Sequence, residues 1–352
     1  MHKILWSDNQ CPRFSEGYSY TPECLWEYIG SSGLPIKRNN IQVPEEIDLI
    51  QKKIFSIGYF VQNSAANSIV INHSVPDMFI KSNLYSIGYT FWETNRLPSD
   101  WVKHCNEMDE IWTCTNVMKE VFINSGITKP VYDFQLGVDP RIYFPKKQSI
   151  KGTFKFLSMG SPSTRKNSQM AVDAFLKVFG RDERYELIYK SNGPSDARVY
   201  ENNVMYPIQH PRIKVINDEV SHEELGAIYD QANCLLYPTS GEGWGHIPFQ
   251  GIAKGIPTIC TNALACSEFA NFSVPLDFKW GTKNMFEQYA NAGQWAEPNF
   301  DDLCDKMLYV VQSYKTVCNK TYQSAEFINQ NMTWEKVSQK YIARLKDIVN
   351  NV

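Results

Sequence analysis

The sequence predicts an α/β fold of two doubly wound parallel sheets facing a central cleft, and three observations carry that expectation. Short apolar strands alternate with helical segments along the first part of the chain, the pattern of a parallel sheet covered on both faces. The alternation stops at residues 137–148, where proline, a basic pair and lost periodicity fit an interdomain linker, and it restarts at Phe154. The length, 352 residues, leaves each half enough chain for its own core. We expect two Rossmann-like domains, 1–145 and 146–333, with a C-terminal helix over 334–352 long enough to cross back onto the first. Ligands of such sheets bind beyond the carboxyl ends of the strands, which here face the cleft.

Element by element, residues 4–6, 68–72, 85–90 and 110–113 read as strands. Helices are expected over 21–28, 99–105 and 115–125, the last stopped by Gly126. After the linker, 154–159 is a strand. The segment 168–179 is an amphipathic helix, with Ala171, Ala174, Phe175 and Val178 at helical spacing. Residues 185–189 and 212–216 are further strands. Ser221-His222-Glu223-Glu224 is a capping box opening a helix to Ala232. From Asp301 onward the tail is largely helical, and its last helix runs from Trp334 to about Val349.

Composition narrows the function classes. Hydrophobic content of 43% and charged content of 21% are those of an ordinary globular enzyme. A formal net charge of −3 provides no global basic field to recruit nucleic acid or anionic lipid. The nine cysteines are odd in number and form no C-x-x-C pair, so they read as reduced thiols of a cytosolic-type compartment. Met1 leads directly into a strand with no signal-peptide core, and no apolar run approaches a membrane span. A soluble, cytoplasmic protein is the expectation. Aromatic content of 13% suits stacking surfaces in a cleft and is equally explained by the cores.

The most informative stretch is 237–250. An apolar run, 233–237, ends in a turn carrying Gly241, Glu242, Gly243, Trp244 and Gly245. A helix-compatible segment follows, then Gly255-Ile256-Pro257 and the apolar 258–260. Strand, glycine loop, helix, strand is the unit that sets backbone N–H groups and a helix N-terminus against a phosphate. Glu242 would repel that phosphate and is better suited to accept hydrogen bonds from hydroxyls on whatever the phosphate carries, which suggests a nucleotide sugar. A dinucleotide fingerprint is the decoy: G-x-G-x-x-G needs glycine where His246 stands and belongs at a domain's first strand. A purely structural reading, with glycines serving a tight turn, stays open.

With other segments in order, these residues resemble the retaining glycosyltransferases of the GT-B fold, and glycosyltransferase family 4 in particular. Gly241 to Gly245 followed by Gly255-Ile256-Pro257 is similar to the family's donor-site E-x-x-x-x-x-x-x-E region. Met159-Gly160-Ser161-Pro162-Ser163-Thr164-Arg165-Lys166-Asn167 resembles its basic phosphate-binding loop. Gln135-Leu136-Gly137-Val138-Asp139-Pro140 with Phe144-Pro145 resembles its domain linker. Thr90-Phe91-Trp92-Glu93-Thr94 and Met108-Asp109-Glu110-Ile111-Trp112 resemble a subgroup with a W-E-T element. The likeness runs from about Asn72 to the C-terminus. It departs from the family at Gln250, where a ribose-binding glutamate is usual; at Ser161, in place of an arginine; and at Glu93, aligned with a histidine near the reacting sugar.

The resemblance implies a retaining transfer from a nucleoside-diphosphate sugar, by front-face attack without a covalent sugar–enzyme bond. The first domain would bind the acceptor and the second the donor. The chain has no D-x-D motif, so a metal is not expected, and no cofactor is. Cations and oriented amides must then stabilise the departing diphosphate: Arg165 and Lys166 as cations, and Gly243, Trp244 and Gly245 as amides, with Gly160 and Gln250 also on the donor side. Glu242 would orient the sugar, and Glu93 would hold an acceptor hydroxyl or stabilise positive charge on the ring. His73 and Gly17 are acceptor-side candidates. Each has a plainer alternative: Arg165 and Lys166 as a solvated basic turn, Glu93 as a buried structural carboxylate, His73 as a core histidine, and Gly17 as an ordinary loop glycine. The acceptor defaults to a saccharide or lipid-linked saccharide, with a modified nucleic-acid base left open. A catalytically weak nucleotide-sugar or glycan-binding protein of the same fold is the competing function.

Overall fold

The computed structural model describes residues 4–10, 16–42, 69–161, 163–191, 198–201, 204–207, 210–281, 289 and 292–351. Residues 1–3, Ser68 and Pro162, which entered the sequence reading, lie outside the described residues.

Two parallel sheets carry the fold. The first is built from β1 (Ile4–Gln10), β2 (Ile36–Gln42), β3 (Ile69–His73), β4 (Tyr85–Tyr89), β5 (Glu110–Thr113) and β6 (Val131–Asp133), in the order β2-β1-β3-β4-β5-β6. Its central strands are apolar runs buried along almost their whole length, as a sheet covered on both faces requires. The covering helices include α1 (Glu16–Ile29), α2 (Ser99–Glu107) and α3 (Asn116–Ser125). Thr115 starts α3 by accepting the Met118 N–H, and Gly126 ends it at a left-handed φ of 111°.

The second sheet holds β7 (Phe154–Met159), β8 (Tyr185–Lys190), β11 (Ile213–Ile216), β12 (Cys234–Tyr237), β13 (Thr258–Thr261) and β14 (Val274–Leu276), in the order β11-β8-β7-β12-β13-β14. Two small hairpins accompany it: β9 (Arg198–Glu201) with β10 (Val204–Pro207), and β15 (Phe278–Trp280) with β16 (Ala296–Pro298). Its helices are α4 (Ser168–Phe179), α5 (His222–Tyr229), α6 (His246–Ala253), α7 (Phe300–Gln312) and α8 (Tyr314–Asn331). The capping box at Ser221 and Glu224 forms as expected, with both reciprocal bonds present. Counted from β7, the strand order is the 3-2-1-4-5-6 of a dinucleotide-type sheet, so its topological switch point lies between β7 and β12.

Three expectations need correction. Helix α1 starts at Glu16, not at residue 21, and carries Pro22 inside it. Tyr20, packed edge-on to Trp334 and His246 at 5.8 and 5.1 Å, anchors the added turn. Gly17 therefore sits in the first turn of a helix, not in the loop after β1. Strand β2 was not foreseen, because Ile36–Gln42 lacks apolar alternation; it is an edge strand, where polar residues protect unpaired backbone.

The last helix, α9 (Trp334–Asn351), packs against α1 and reaches the first sheet. Its Tyr341 hydroxyl lies 2.7 Å from that of Tyr89 and donates to the Phe134 carbonyl at 3.0 Å. Arg344 pairs with the fully buried Glu110, which also accepts from Trp112 Nε1 at 2.6 Å and Tyr85 at 3.0 Å. Replacing Arg344 by Met removes the cation while those two donors remain. The expected loss is about 2 kcal/mol of unfolding free energy. Urea denaturation checks it, and a loss below about 0.5 kcal/mol would mean that the pair holds nothing together.

Candidate active site

The strand ends at the switch point bring two loops together. Beyond β7, Gly160 turns the chain at φ 147°, donating its N–H to the Lys190 carbonyl at 3.1 Å. A single 3₁₀ turn, Thr164–Lys166, follows and closes on Asn167, which adopts the left-handed conformation (φ 49°) that asparagine tolerates. Asn167 Nδ2 donates to the Pro238 carbonyl at 2.9 Å and to Ser240 Oγ at 2.7 Å, and Ser240 N donates to the Arg165 carbonyl at 2.8 Å. The basic turn is thus stapled to the glycine loop beyond β12.

That stapling places Arg165 and Lys166 around Glu242. Glu242 Oε1 lies 2.7 Å from Lys166 Nζ and 2.9 Å from Arg165 Nη1, and accepts from the Tyr237 and Thr239 hydroxyls at 2.9 and 2.8 Å. Lys166 also donates to Tyr237 at 2.8 Å. From the first sheet, the loop after β4 delivers Glu93, whose Oε1 is 3.0 Å from Arg165 Nη2. The carboxylate of Glu93 is about a quarter exposed, and that of Glu242 is buried.

The electrostatics follow. Burial alone would raise the Glu242 carboxyl, but Arg165 and Lys166 outweigh it and hold it down at about 2. Burial raises Glu93, Arg165 pulls it back, and the neighbouring Glu242 charge raises it again, leaving it above the ordinary carboxylate range. Burial and the Arg165 charge lower Lys166, while Glu242 opposes them. Arg165, drawn up by the two carboxylates against its own burial, stays a fixed cation.

Of the residues singled out in the sequence, Arg165, Lys166, Glu242 and Glu93 form one charged cluster. Two glycines of the loop allow close packing against the first half of the chain. A Cβ on Gly241 would meet the Glu93 carbonyl oxygen at 2.0 Å, and one on Gly243 would meet Phe91 Cβ at 2.7 Å. Gly243 O accepts from the Cys114 thiol at 2.5 Å, and the Trp244 ring is buried 5.1 Å from that of Phe249. Gly245, at φ 98°, is the turn that opens α6. His246 begins that helix, with Nε2 3.4 Å from Thr21 Oγ1, and burial pushes its imidazole down to about 3, so it is neutral. One turn along α6, Gln250 is buried, its Oε1 3.3 Å from the Tyr229 hydroxyl.

The acceptor-side candidates both come from the first half of the chain. His73 ends β3 and is buried, stacked on Tyr89 at 4.5 Å and edge-on to Trp6 and Phe91 at 6.1 and 5.8 Å. Gly17 is in α1. Tyr237, Thr239 and Asn167 were missed from the sequence. The signals were present: a tyrosine closing an apolar strand, and an asparagine ending a basic turn.

The model of the family described as family 4 glycosyltransferase in conflict systems matches residues 114–340. No curated protein matches the chain. Among solved structures, sucrose-phosphate synthase from Thermosynechococcus elongatus aligns with a TM-score of 0.73 at 9% identity, over 100% of both chains. A glycosyltransferase from Rickettsia africae ESF-5 aligns at 0.69 and 13%, over 100% of this chain and 99% of that one. Anabaena HepE, solved with UDP and glucose, aligns at 0.68 and 10%, over 98% and 100%. At such identities the likeness speaks for the fold, which is GT-B. No helix among the described residues is long and apolar enough to cross a membrane. With the family match spanning more than half of its length, the chain belongs to the family 4 glycosyltransferases of conflict systems.

Proposed function

We propose that the chain is a retaining glycosyltransferase that needs no metal, moving a sugar from a nucleoside-diphosphate sugar to a hydroxyl acceptor. The carrying observation is the convergence of Arg165 and Lys166 at the switch point between β7 and β12, where ligands of open α/β sheets bind. In this reading the two cations meet the diphosphate and stabilise its negative charge as the glycosidic bond breaks, the part a metal plays elsewhere. The start of α6 adds its dipole. Glu242, fixed by Lys166, Arg165, Tyr237 and Thr239, is a strongly stabilised carboxylate and hence a poor nucleophile. That favours retention by front-face attack over a covalent glycosyl intermediate. Glu242 then orients sugar hydroxyls.

Residues 1–145 form the acceptor domain in this scheme, 146–333 the donor domain, and 334–352 the returning helix. UDP is the first nucleotide to try, because HepE and the pneumococcal O-GlcNAc transferase GtfA were both solved with it. The acceptor is a hydroxyl of a saccharide, a lipid-linked saccharide or a modified base. One observation favours a second reading, a weak enzyme that chiefly binds nucleotide sugar: Gln250, where the family has a ribose-binding glutamate, is buried against Tyr229.

The test incubates the protein with UDP-, GDP-, ADP- and TDP-sugars in excess EDTA, reading thermal shift and released nucleotide. One donor is expected to raise Tm by a few degrees at saturation and to release nucleotide despite the chelator. Turnover only after divalent metal is restored would end the metal-free reading. A shift without turnover, with any acceptor tried, would favour the binding protein.

A further inference from the structure

The cations assigned to the donor are not waiting uncompensated. Arg165 and Lys166 already face two carboxylates, Glu93 and Glu242. A diphosphate entering this cluster adds negative charge that only the start of α6 helps to offset, which favours the withdrawal of one carboxylate from the cations.

The two are not equivalent. Glu242 is buried and accepts from four side chains, all on the second sheet and its loops. Glu93 comes from the other half of the protein, is the more exposed, and among the described residues makes its ion pair with Arg165. The titratable groups facing it are Arg165 and Lys166 from the basic turn and Glu242 from the glycine loop. Burial and Glu242 oppose its charge, the two cations favour it, and the balance leaves its carboxyl raised from its ordinary value. Glu93 is therefore the weaker-held anion on the same guanidinium.

We propose that Glu93 is a tethered competitor of the donor's diphosphate, occupying Arg165 while the site is empty and leaving it when the donor binds. This rests on the donor-site reading above. It makes the loop after β4 a sensor of donor occupancy: once released, Glu93 is free to turn toward an acceptor, so that the acceptor side is completed only after the donor is in place. Binding is then linked to proton uptake. As pH rises and Glu93 ionises more fully, it competes better and donor affinity falls.

The experiment is calorimetry of UDP, GDP, ADP and TDP binding to the wild type, Glu93→Gln and Lys166→Met between pH 6 and 8.5, in two buffers of different ionisation enthalpy. For the tightest nucleotide, Glu93→Gln is expected to bind about tenfold more tightly at pH 8, an electrostatic gain of about 1.4 kcal/mol. Its advantage should shrink as pH falls, and its proton uptake on binding should be smaller than that of the wild type. The free nucleotide's phosphate titration is common to all three proteins, so the part due to Glu93 is read as the difference in proton uptake between the wild type and Glu93→Gln. Equal or weaker binding by Glu93→Gln, with the wild-type pH slope, overturns the proposal. If Lys166→Met loses affinity while Glu93→Gln behaves as the wild type, the Glu93 inference falls and the donor site stands. If no nucleotide binds the wild type or Glu93→Gln, both fall.

Discussion

Lys166→Met is expected to lower kcat/KM for the donor by about 10²–10³-fold, the scale of removing one preorganised charge from a developing anion. Methionine keeps the stem's volume and removes the ammonium. The fold should survive, because Glu242 retains Arg165, Tyr237 and Thr239. Since the charge on the diphosphate grows as the bond to the sugar breaks, most of the loss should fall in kcat and little in KM. Arginine is a poor rescue: Lys166 Nζ reaches both Tyr237 and Glu242 as a compact donor, and a planar fork cannot reproduce that geometry. Steady-state kinetics of nucleotide release decides it. A change below threefold would mean, roughly, that Lys166 does not touch the leaving group.

Gly241→Ala is the second large effect, and it acts on how the two halves meet. The added methyl would stand 2.0 Å from the Glu93 carbonyl oxygen and 3.1 Å from its carbon, both backbone atoms. No side-chain rotation relieves that clash. The loops cannot easily slide apart either, for Ala296 N donates to the Ser240 carbonyl at 2.9 Å, Gln294 N donates to Asn95 Oδ1 at 2.7 Å, and Thr94 bonds the Ala292 carbonyl. Overpacking of this kind costs about 3 kcal/mol or more. Thermal denaturation should register it as a fall of several degrees in Tm. Activity should fall further than stability, because Glu93 and Arg165 would be pushed out of register. A variant melting within about a degree of the wild type would mean that the loops part easily.

The sequence spoke most clearly where the physics is local. The boundaries of β7 and α4 agree with it residue for residue, because an apolar run and a helical stripe each declare their own period. The capping box at Ser221 and the glycine ending α3 are equally local signals. The charged cluster was half legible. Arg165, Lys166 and Glu242 came from motifs at strand ends, but nothing near Glu93 in the chain announces that it meets Arg165 across the cleft. The sequence offers Gly243, Trp244 and Gly245 as amides for a phosphate, and it gives no sign that Gly241 and Gly243 also make room for the Phe91–Glu93 loop, because that packing is long-range. The extra turn of α1 was hidden for a similar reason, since contacts with Trp334 and His246 override the stop that Pro22 suggests.

The most direct measurement is a crystal structure with whichever of UDP, GDP, ADP or TDP binds most tightly. The diphosphate should lie within hydrogen-bond distance of Lys166 Nζ and the Arg165 guanidinium, beyond the carboxyl ends of β7 and β12, with Glu93 withdrawn from Arg165. A nucleotide bound away from both cations would contradict the assignment of this cluster as the donor site.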